Sequence, residues 1–127
     1  EAALGYTPPW RGIAGYSLGG LFAVYAVWKS TLFSRAASMS GSLWYDGFAD
    51  FLADNTPRAL PDAVYLSVGE RESRTRNARM AEVERCTELA AARLRSLGCK
   101  TEYNVVPGGH FEDVGIRITN GIEFITR

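Results

Sequence analysis

Short apolar runs alternate with longer segments of helical periodicity along this chain, and the pattern predicts strands that are each followed by a helix. The clearest helical segment repeats apolar positions every three or four residues and stops before Gly98, a residue type common just past helix ends. In chain order the pattern predicts a loop at 1–10, a strand at 11–16, a helix at 21–29, a strand at 36–40, a helix at 46–53, a strand at 63–68, a helix at 77–97, a strand at 101–106 and a helix at 112–126.

Strands that alternate with helices favour right-handed crossover connections and a parallel sheet, so residues 1–127 are predicted to form a single α/β domain. The helix at 21–29 is apolar nearly all round and is predicted to be buried. The helix at 77–97 is predicted to bury Met80, Val83, Thr87, Ala90, Leu94 and Leu97. The last helix is predicted to bury Val114, Ile118, Ile122 and Ile125.

Composition excludes several function classes. The 14 Lys and Arg residues balance the 14 Asp and Glu residues, which argues against a nucleic-acid partner. No apolar run is long enough to cross a bilayer, so no membrane partner is predicted. Cys86 and Cys99 match no metal motif and are predicted to be free thiols, and with one histidine in the chain neither a metal nor another cofactor is expected. A cytoplasmic location is the expectation.

The segment Gly15-Tyr16-Ser17-Leu18-Gly19 matches G-x-S-x-G, with an apolar strand predicted before it and an apolar helix after it. In this pattern the serine lies on a strained turn, which small residues two before and two after it allow to close. The Leu18 amide is then predicted to face the oxygen of a bound carbonyl group, where negative charge develops. A Gly/Ser turn without chemistry produces the same pattern by chance, but the flanking elements favour Ser17 as a nucleophile.

His110 follows the last predicted strand, as the base does in hydrolases whose chain order is serine, acid, histidine. A serine hydroxyl is a weak nucleophile until a neighbouring base takes its proton, and imidazole suits that role near neutral pH. The acid that orients the imidazole is expected after the third strand, where Glu70 and Glu72 both lie. The alternative for these two glutamates is a solvated loop paired with Arg71 and Arg74. Weaker candidates for the acid are Asp62, Glu112 and Asp113.

At these residues the sequence resembles the putative esterase family of α/β-hydrolases, also called the esterase D-like family. The resemblance runs through "GYSLGGLFAVYA", "SMSGSLWYDGF", "YLSVGERESRTRN" and "PGGHFEDV". Within the family, "SGSLWY" and "VGERESRTRN" are most similar to the siderophore trilactone esterase branch. The resemblance implies a three-layer α/β/α sandwich with a mostly parallel sheet, of which this chain is the C-terminal part.

The resemblance also bears on the site. The family's acid usually lies three residues after the glycine that ends the strand, which favours Glu72 over Glu70, and a Ser-His dyad is the alternative. Family members are about twice as long as this chain. Their first strands and the loop with the second oxyanion-hole amide are absent here. The expected partner is therefore the missing N-terminal half, or a second copy of the chain bound at the exposed edge of strand 11–16.

The expected substrate is a small-molecule ester, with a siderophore-type ester as one possibility. Tyr16, Trp44 and Tyr45 are predicted to line its pocket, although aromatic packing against the sheet explains Trp44 and Tyr45 equally well. A cluster of arginines beyond the third strand would attract an anionic substrate or form a solvated helix start; it comprises Arg71, Arg74, Arg76 and Arg79. Alternatives to an ester hydrolase that forms an acyl-enzyme are an acyltransferase with the same residues and an inactive fragment of the fold.

Overall fold

The computed structural model describes residues 2–127, so position 1 of the predicted loop lies outside the described residues. Most predicted elements are present, with boundaries shifted by a few residues. The strands are Gly12–Tyr16 (β1), Arg35–Met39 (β2), Ala63–Gly69 (β3) and Lys100–Val106 (β4). The helices are Leu18–Lys29 (α1), Phe48–Asp54 (α2), Val83–Ser96 (α3) and Val114–Thr126 (α4). Two 3-10 turns add to these, Ala2–Leu4 within the predicted loop and Met80–Glu82 before α3.

Within residues 2–127 the strands form one parallel sheet in the order β1-β2-β3-β4. Tyr16 lies beside Met39 in the register of β1 and β2, and Gly69 lies beside Val106 in the register of β3 and β4. The carboxyl ends of all four strands therefore meet at one edge. Helices α1, α2 and α3 pack on one face and α4 packs on the other, so the predicted three-layer α/β/α sandwich with a parallel sheet is confirmed.

The core has two parts because the sheet is covered on both faces. The larger part joins α1, α2 and α3 to the sheet and contains Val24, Val27, Trp28, Phe48, Leu52, Val64, Leu66, Ala90 and Leu94. The smaller part lies under α4 and contains Ala37, Met39, Ala63, Tyr65, Phe124 and Ile125. Each buried aliphatic side chain contributes about 1.5–3 kcal/mol relative to exposure, so the larger part dominates the stability of the domain.

The buried face predicted for α4 is confirmed at Ile125 and wrong at Ile118 and Ile122. Ile118 and Ile122 are exposed, and the helix instead turns Arg117 and Gly121 toward the sheet, together with Phe124 and Ile125. Gly121 explains this rotation, because a Cβ there would lie 2.5 Å from the sulfur of Met39. A residue without a side chain lets the helix lie directly on β2.

The predicted buried helix at 21–29 is α1, and it begins at Leu18 because it follows directly from the turn at Ser17. It is buried on one side only. Phe22 and Tyr25 are exposed on the other side, next to α2. An apolar helix is thus left partly uncovered by the described residues.

The helix predicted at 77–97 begins at Val83. The side chain of Asn77 accepts hydrogen bonds from the amides of Arg79 and Met80, and this local turn competes with helix formation. Four of the six predicted positions are buried, namely Val83, Thr87, Ala90 and Leu94, whereas Met80 is exposed and Leu97 is half-buried.

Cys86 and Cys99 are free thiols buried in the larger core, and burial raises the pKa of both. No helix among residues 2–127 is long and apolar enough to span a membrane. No group of at least three His, Cys, Asp or Glu side chains in that range is arranged to hold a metal ion.

Candidate active site

Polar residues follow the carboxyl end of every strand of the sheet. Ser17 comes directly after β1, Ser40 directly after β2, Glu72 three residues after β3 and His110 four residues after β4. In open parallel sheets, ligands bind outside the carboxyl ends of the strands. The topology therefore gathers these four side chains at the edge where a ligand is expected.

The backbone at Ser17 is held in a strained turn. Its φ of 59° is in a region that residues with side chains rarely adopt. The Ser17 amide donates to the Met39 carbonyl at 3.1 Å, and the Ser17 carbonyl accepts from the amides of Gly20 and Ser42, each at 3.0 Å. Strand, helix start and the loop after β2 thus hold the turn together.

Glycine is required at two positions around this turn, one of them predicted. A Cβ on Gly15 would lie 2.0 Å from the carbonyl oxygen of Gly19, and one on Gly20 would lie 2.8 Å from Cα of Gly41. A Cβ on Gly19 itself would meet nothing within 4 Å. The predicted steric reason for a small residue at Gly19 is therefore wrong, whereas the reason given for Gly15 is confirmed.

Ser17, His110 and Glu72 form a continuous chain of hydrogen bonds. Nε2 of His110 lies 2.9 Å from Oγ of Ser17, and Nδ1 lies 2.5 Å from Oε1 of Glu72. With the ring proton on Nδ1, that nitrogen donates to the carboxylate, and Nε2 is free to accept the serine proton. The ring of Tyr16 packs against the imidazole, with 5.2 Å between the ring centroids.

Of the two glutamates that the sequence left open, the structure brings Glu72 to His110 and leaves Glu70 exposed. Glu72 reaches back because residues 69–72 form a tight turn, in which its amide donates to the Gly69 carbonyl at 3.0 Å. Its Oε2 accepts from the Gly69 amide at 2.5 Å and from Oγ of Ser40 at 2.7 Å. The side chain of Glu72 is only 4% exposed.

Arg117 was missed by sequence reasoning. It lies on α4 with its side chain 2% exposed. Nη1 donates to Oγ of Ser40 at 2.7 Å, and Nη2 donates to the carbonyl groups of Pro107 at 3.2 Å and Gly109 at 2.6 Å. One signal was present in the sequence, because Arg117 and Gly121 are one helical turn apart and therefore lie on the same face of the helix.

The predicted substrate-pocket residues separate into three places. Trp44 lines a small pocket of about 80 Å³ together with Ser17 and His110. Tyr16 lies against the imidazole ring, and burial raises the pKa of its hydroxyl. Tyr45 lines a different hollow. The Leu18 amide begins α1 and is one of the first N–H groups of the helix, which have no acceptor within it.

The hollow lined by Tyr45 is a larger apolar groove between α1 and α2, with a volume of about 710 Å³. It starts beside Ser17, because Leu18 is part of its wall. The remaining lining residues are mostly apolar or aromatic and include Leu21, Phe22, Tyr25, Phe48 and Phe51. An uncharged, bulky group is the kind of ligand that such a surface binds.

Ion pairs occupy two of the four clustered arginines. Arg71 pairs with Glu112, and this contact lowers the pKa of the Glu112 carboxyl. Arg79 pairs with Asp46 at 2.9 Å, and its guanidinium lies over the ring of Trp44. Arg74 and Arg76 are exposed. The pair formed by Arg71 joins the loop after β3 to the loop after β4, which carries His110.

A family model described as "Putative esterase" matches residues 2–113. The chain belongs to this family. A curated relative, the "Uncharacterized protein YbbA" of Bacillus subtilis (strain 168), is 29% identical to this esterase-family chain over 92 residues. That match covers 72% of the chain and 37% of the relative, so the chain spans well under half of the relative's length.

Solved structures of siderophore esterases resemble this esterase-family chain. The siderophore hydrolase EstA from Aspergillus nidulans is 25% identical with a TM-score of 0.70, and the match covers 92% of this chain and 47% of EstA. The ferric enterobactin esterase from Salmonella typhimurium is 26% identical with a TM-score of 0.65, and the match covers 90% and 29% respectively. The predicted resemblance to the esterase family and its siderophore branch is confirmed.

Proposed function

We propose that this chain carries the catalytic residues of a serine carboxylic-ester hydrolase that forms an acyl-enzyme on Ser17. The observation that carries the proposal is the unbroken hydrogen-bond chain from Ser17 through His110 to Glu72 at the carboxyl edge of the sheet. Nucleophile, base and orienting acid are the three roles that serine hydrolysis requires. Family membership supports the same reaction class.

In the acylation step, Oγ of Ser17 attacks the ester carbonyl carbon while Nε2 of His110 takes the hydroxyl proton. The carbonyl oxygen becomes an oxyanion, which the Leu18 amide stabilises at the start of α1. The carbon–oxygen bond to the alcohol then breaks, and the imidazolium gives its proton to the leaving alcohol. In the second step water attacks the acyl carbon while His110 accepts a proton from that water. The bond between the acyl carbon and Oγ of Ser17 then breaks, the carboxylic acid leaves, and His110 returns the proton to Ser17.

Glu72 has two roles in this reaction. Its bond to Nδ1 keeps the ring proton on that nitrogen and leaves Nε2 available as the base, and its charge stabilises the imidazolium that forms transiently. The carboxylate can do this because Gly69 and Ser40 fix its other oxygen. It is nearly buried, so water competes little for it.

The substrate we propose is a small ester with a bulky apolar or aromatic part, and a siderophore-type ester satisfies this description. The pocket that holds Ser17 and His110 has room for little more than the reacting group. Trp44 borders that pocket, and the groove that Leu18 and Tyr45 line begins beside it. The chain spans less than half of EstA. We propose that the remaining chain supplies a second oxyanion amide and the rest of the substrate site.

The test is covalent capture of Ser17 by a fluorophosphonate, a reagent that resembles an ester but leaves a stable adduct on an activated serine. The wild-type protein should be labelled and the Ser17→Ala variant should not, because the adduct forms on that hydroxyl oxygen. Labelling of Ser17→Ala at the wild-type rate would contradict the proposed function.

A further inference from the structure

The buried guanidinium of Arg117 connects the loops that carry Glu72 and His110. Arg117 belongs to α4, on the opposite face of the sheet from α1, and its side chain reaches the carboxyl edge of the strands from that face. Its side chain is 2% exposed and that of Glu72 is 4% exposed, so the two opposite charges lie together away from water. Because burying a charge costs free energy unless it is paired, a cation at this place calls for an explanation.

One terminal nitrogen of the planar guanidinium fork, Nη1, holds the acid Glu72 in place. Nη1 donates to Oγ of Ser40 at 2.7 Å, and that hydroxyl in turn donates to Oε2 of Glu72 at 2.7 Å. Nη1 also lies 3.5 Å from Oε2 itself. The carboxylate is thus held in place through Ser40, with the positive charge nearby.

The other terminal nitrogen, Nη2, holds the loop that carries the base His110. Nη2 donates to the carbonyl groups of Pro107 and Gly109, which flank Gly108 in the loop immediately before His110. Gly108 has a φ of 99°, a conformation that favours glycine, so this loop is not held by a regular strand or helix. Two hydrogen bonds from a buried, rigid fork fix its path.

The guanidinium of Arg117 packs so closely against Gly69 that no side chain fits there. A Cβ on Gly69 would lie 2.8 Å from Nη2 of Arg117 and 2.5 Å from the Gly108 carbonyl. Among residues 2–127, Nε of Arg117 has no hydrogen-bond partner although it is buried. The guanidinium is therefore oriented by the two nitrogens that reach the site, and the remaining donor is left unsatisfied.

We propose that Arg117 is a positioning residue that sets the distance between Glu72 and His110 by bonding both of their loops at once. The proposal rests on the proposed function of Ser17, His110 and Glu72. Arginine suits this task because its planar fork presents donors in two directions, whereas the single ammonium of a lysine does not. The charge of Arg117 also offsets that of Glu72, so it limits how strongly the carboxylate stabilises the imidazolium.

Two variants in the protein expressed from its whole gene separate geometry from charge. Arg117→Met keeps a long side chain but removes both the fork and the charge, and kcat should fall by about 100-fold, the scale expected for a small misplacement of catalytic groups. The acidic limb of its pH–rate profile should move to higher pH, because an uncompensated Glu72 holds the imidazolium longer. Arg117→Lys loses the planar fork, so kcat should fall by at least about tenfold. It keeps the charge, so the acidic limb should stay in place.

The matched control is Arg93→Met, because Arg93 also donates to two main-chain carbonyl groups, those of Leu52 and Asn55, far from the site. It should lower thermal stability and leave kcat and the pH profile unchanged.

If Arg117→Met does not fold, Arg117→Lys decides by its kcat alone. Wild-type kcat in Arg117→Lys, or an unmoved limb with wild-type kcat in a folded Arg117→Met, would overturn the proposal. Fluorophosphonate labelling of Ser17 in the wild-type protein, measured in parallel, shows separately whether the proposed function holds.

Discussion

Glu70 and Glu72 are two residues apart, yet their surroundings differ completely. Glu72 is enclosed by Ser40, Gly69 and His110, whereas Glu70 points to solvent in the turn after β3. Glu72→Gln keeps the shape but removes the charge that orients and stabilises the imidazole. Its kcat should fall by at least about tenfold, and by as much as about 10⁴-fold if the ring adopts the wrong tautomer.

Glu70→Gln is the control for that experiment, since it makes the same chemical change two residues away. Steady-state hydrolysis of an activated ester by both variants gives the comparison, and Glu70→Gln should stay within about twofold of wild type. A larger loss of kcat in Glu70→Gln than in Glu72→Gln would place the acid at Glu70. Equal small losses would favour a Ser-His dyad.

Residue chemistry could be predicted from the sequence only where one candidate was available. Ser17 stood out by its glycine spacing and His110 as the chain's one histidine. Two carboxylates followed β3, and only the family resemblance favoured Glu72, because the choice depends on how the turn at Gly69 folds back. Arg117 escaped prediction because a charged residue in a helix is usually solvated, and its burial depends on three separate loops.

At the scale of elements, close backbone contact in the turn from β1 into α1 leaves no room for a side chain at Gly15. Gly15→Ala would put a methyl group 2.0 Å from the Gly19 carbonyl oxygen, and this backbone atom belongs to the helix start. The free energy of unfolding should therefore drop by about 1–3 kcal/mol or more, the cost typical of overpacking. Chemical denaturation of the full-length protein measures it.

Gly19→Ala is the matched variant, because its new methyl group would meet nothing within 4 Å. Its free energy of unfolding should change by less than about 1 kcal/mol, and alanine even favours the helix. Equal destabilisation by the two variants would show that the turn is not limited at Gly15.

Helix faces were predicted well for α3 and poorly for α4, and the reason is physical. In α3 the apolar positions pack against β3 and β4, so hydrophobic periodicity reports burial. In α4 the glycine at position 121 and the bonded Arg117 decide the rotation, and three isoleucines, Ile116, Ile118 and Ile122, are left exposed. Periodicity alone does not show that a helix is docked by its smallest residue.

At the scale of the whole molecule, the two edges of the sheet differ in protection. The β4 edge carries the charged residues Lys100 and Glu102, which discourage pairing with another strand, whereas β1 has no charged residue. The Ser17 amide points to β2, so by strand alternation the amides of Ala14 and Tyr16 point to the open edge. Related chains are longer, and we propose that part of the remaining chain pairs there.

The isolated 127-residue chain should therefore self-associate through β1, which light scattering after size-exclusion chromatography detects. Ala14→Pro should reduce the association, because it removes an amide that faces the open edge and no amide that bonds β2. Hydrogen exchange gives a second readout, since the amides of Ala14 and Tyr16 should exchange fast in any monomer. A stable monomer in which both amides are protected would contradict this account of the edge.

The most direct measurement of the central claim is the mass of the fluorophosphonate adduct on the protein expressed from its whole gene. The tryptic peptide 12–29 contains a single serine, Ser17, so an adduct there identifies the nucleophile. We predict one adduct on that peptide, none in Ser17→Ala, and labelling slowed by about 100-fold or more in His110→Ala, the scale of a lost general base. A folded wild-type protein that gains no adduct on peptide 12–29, or a His110→Ala variant labelled at the wild-type rate, would contradict the account.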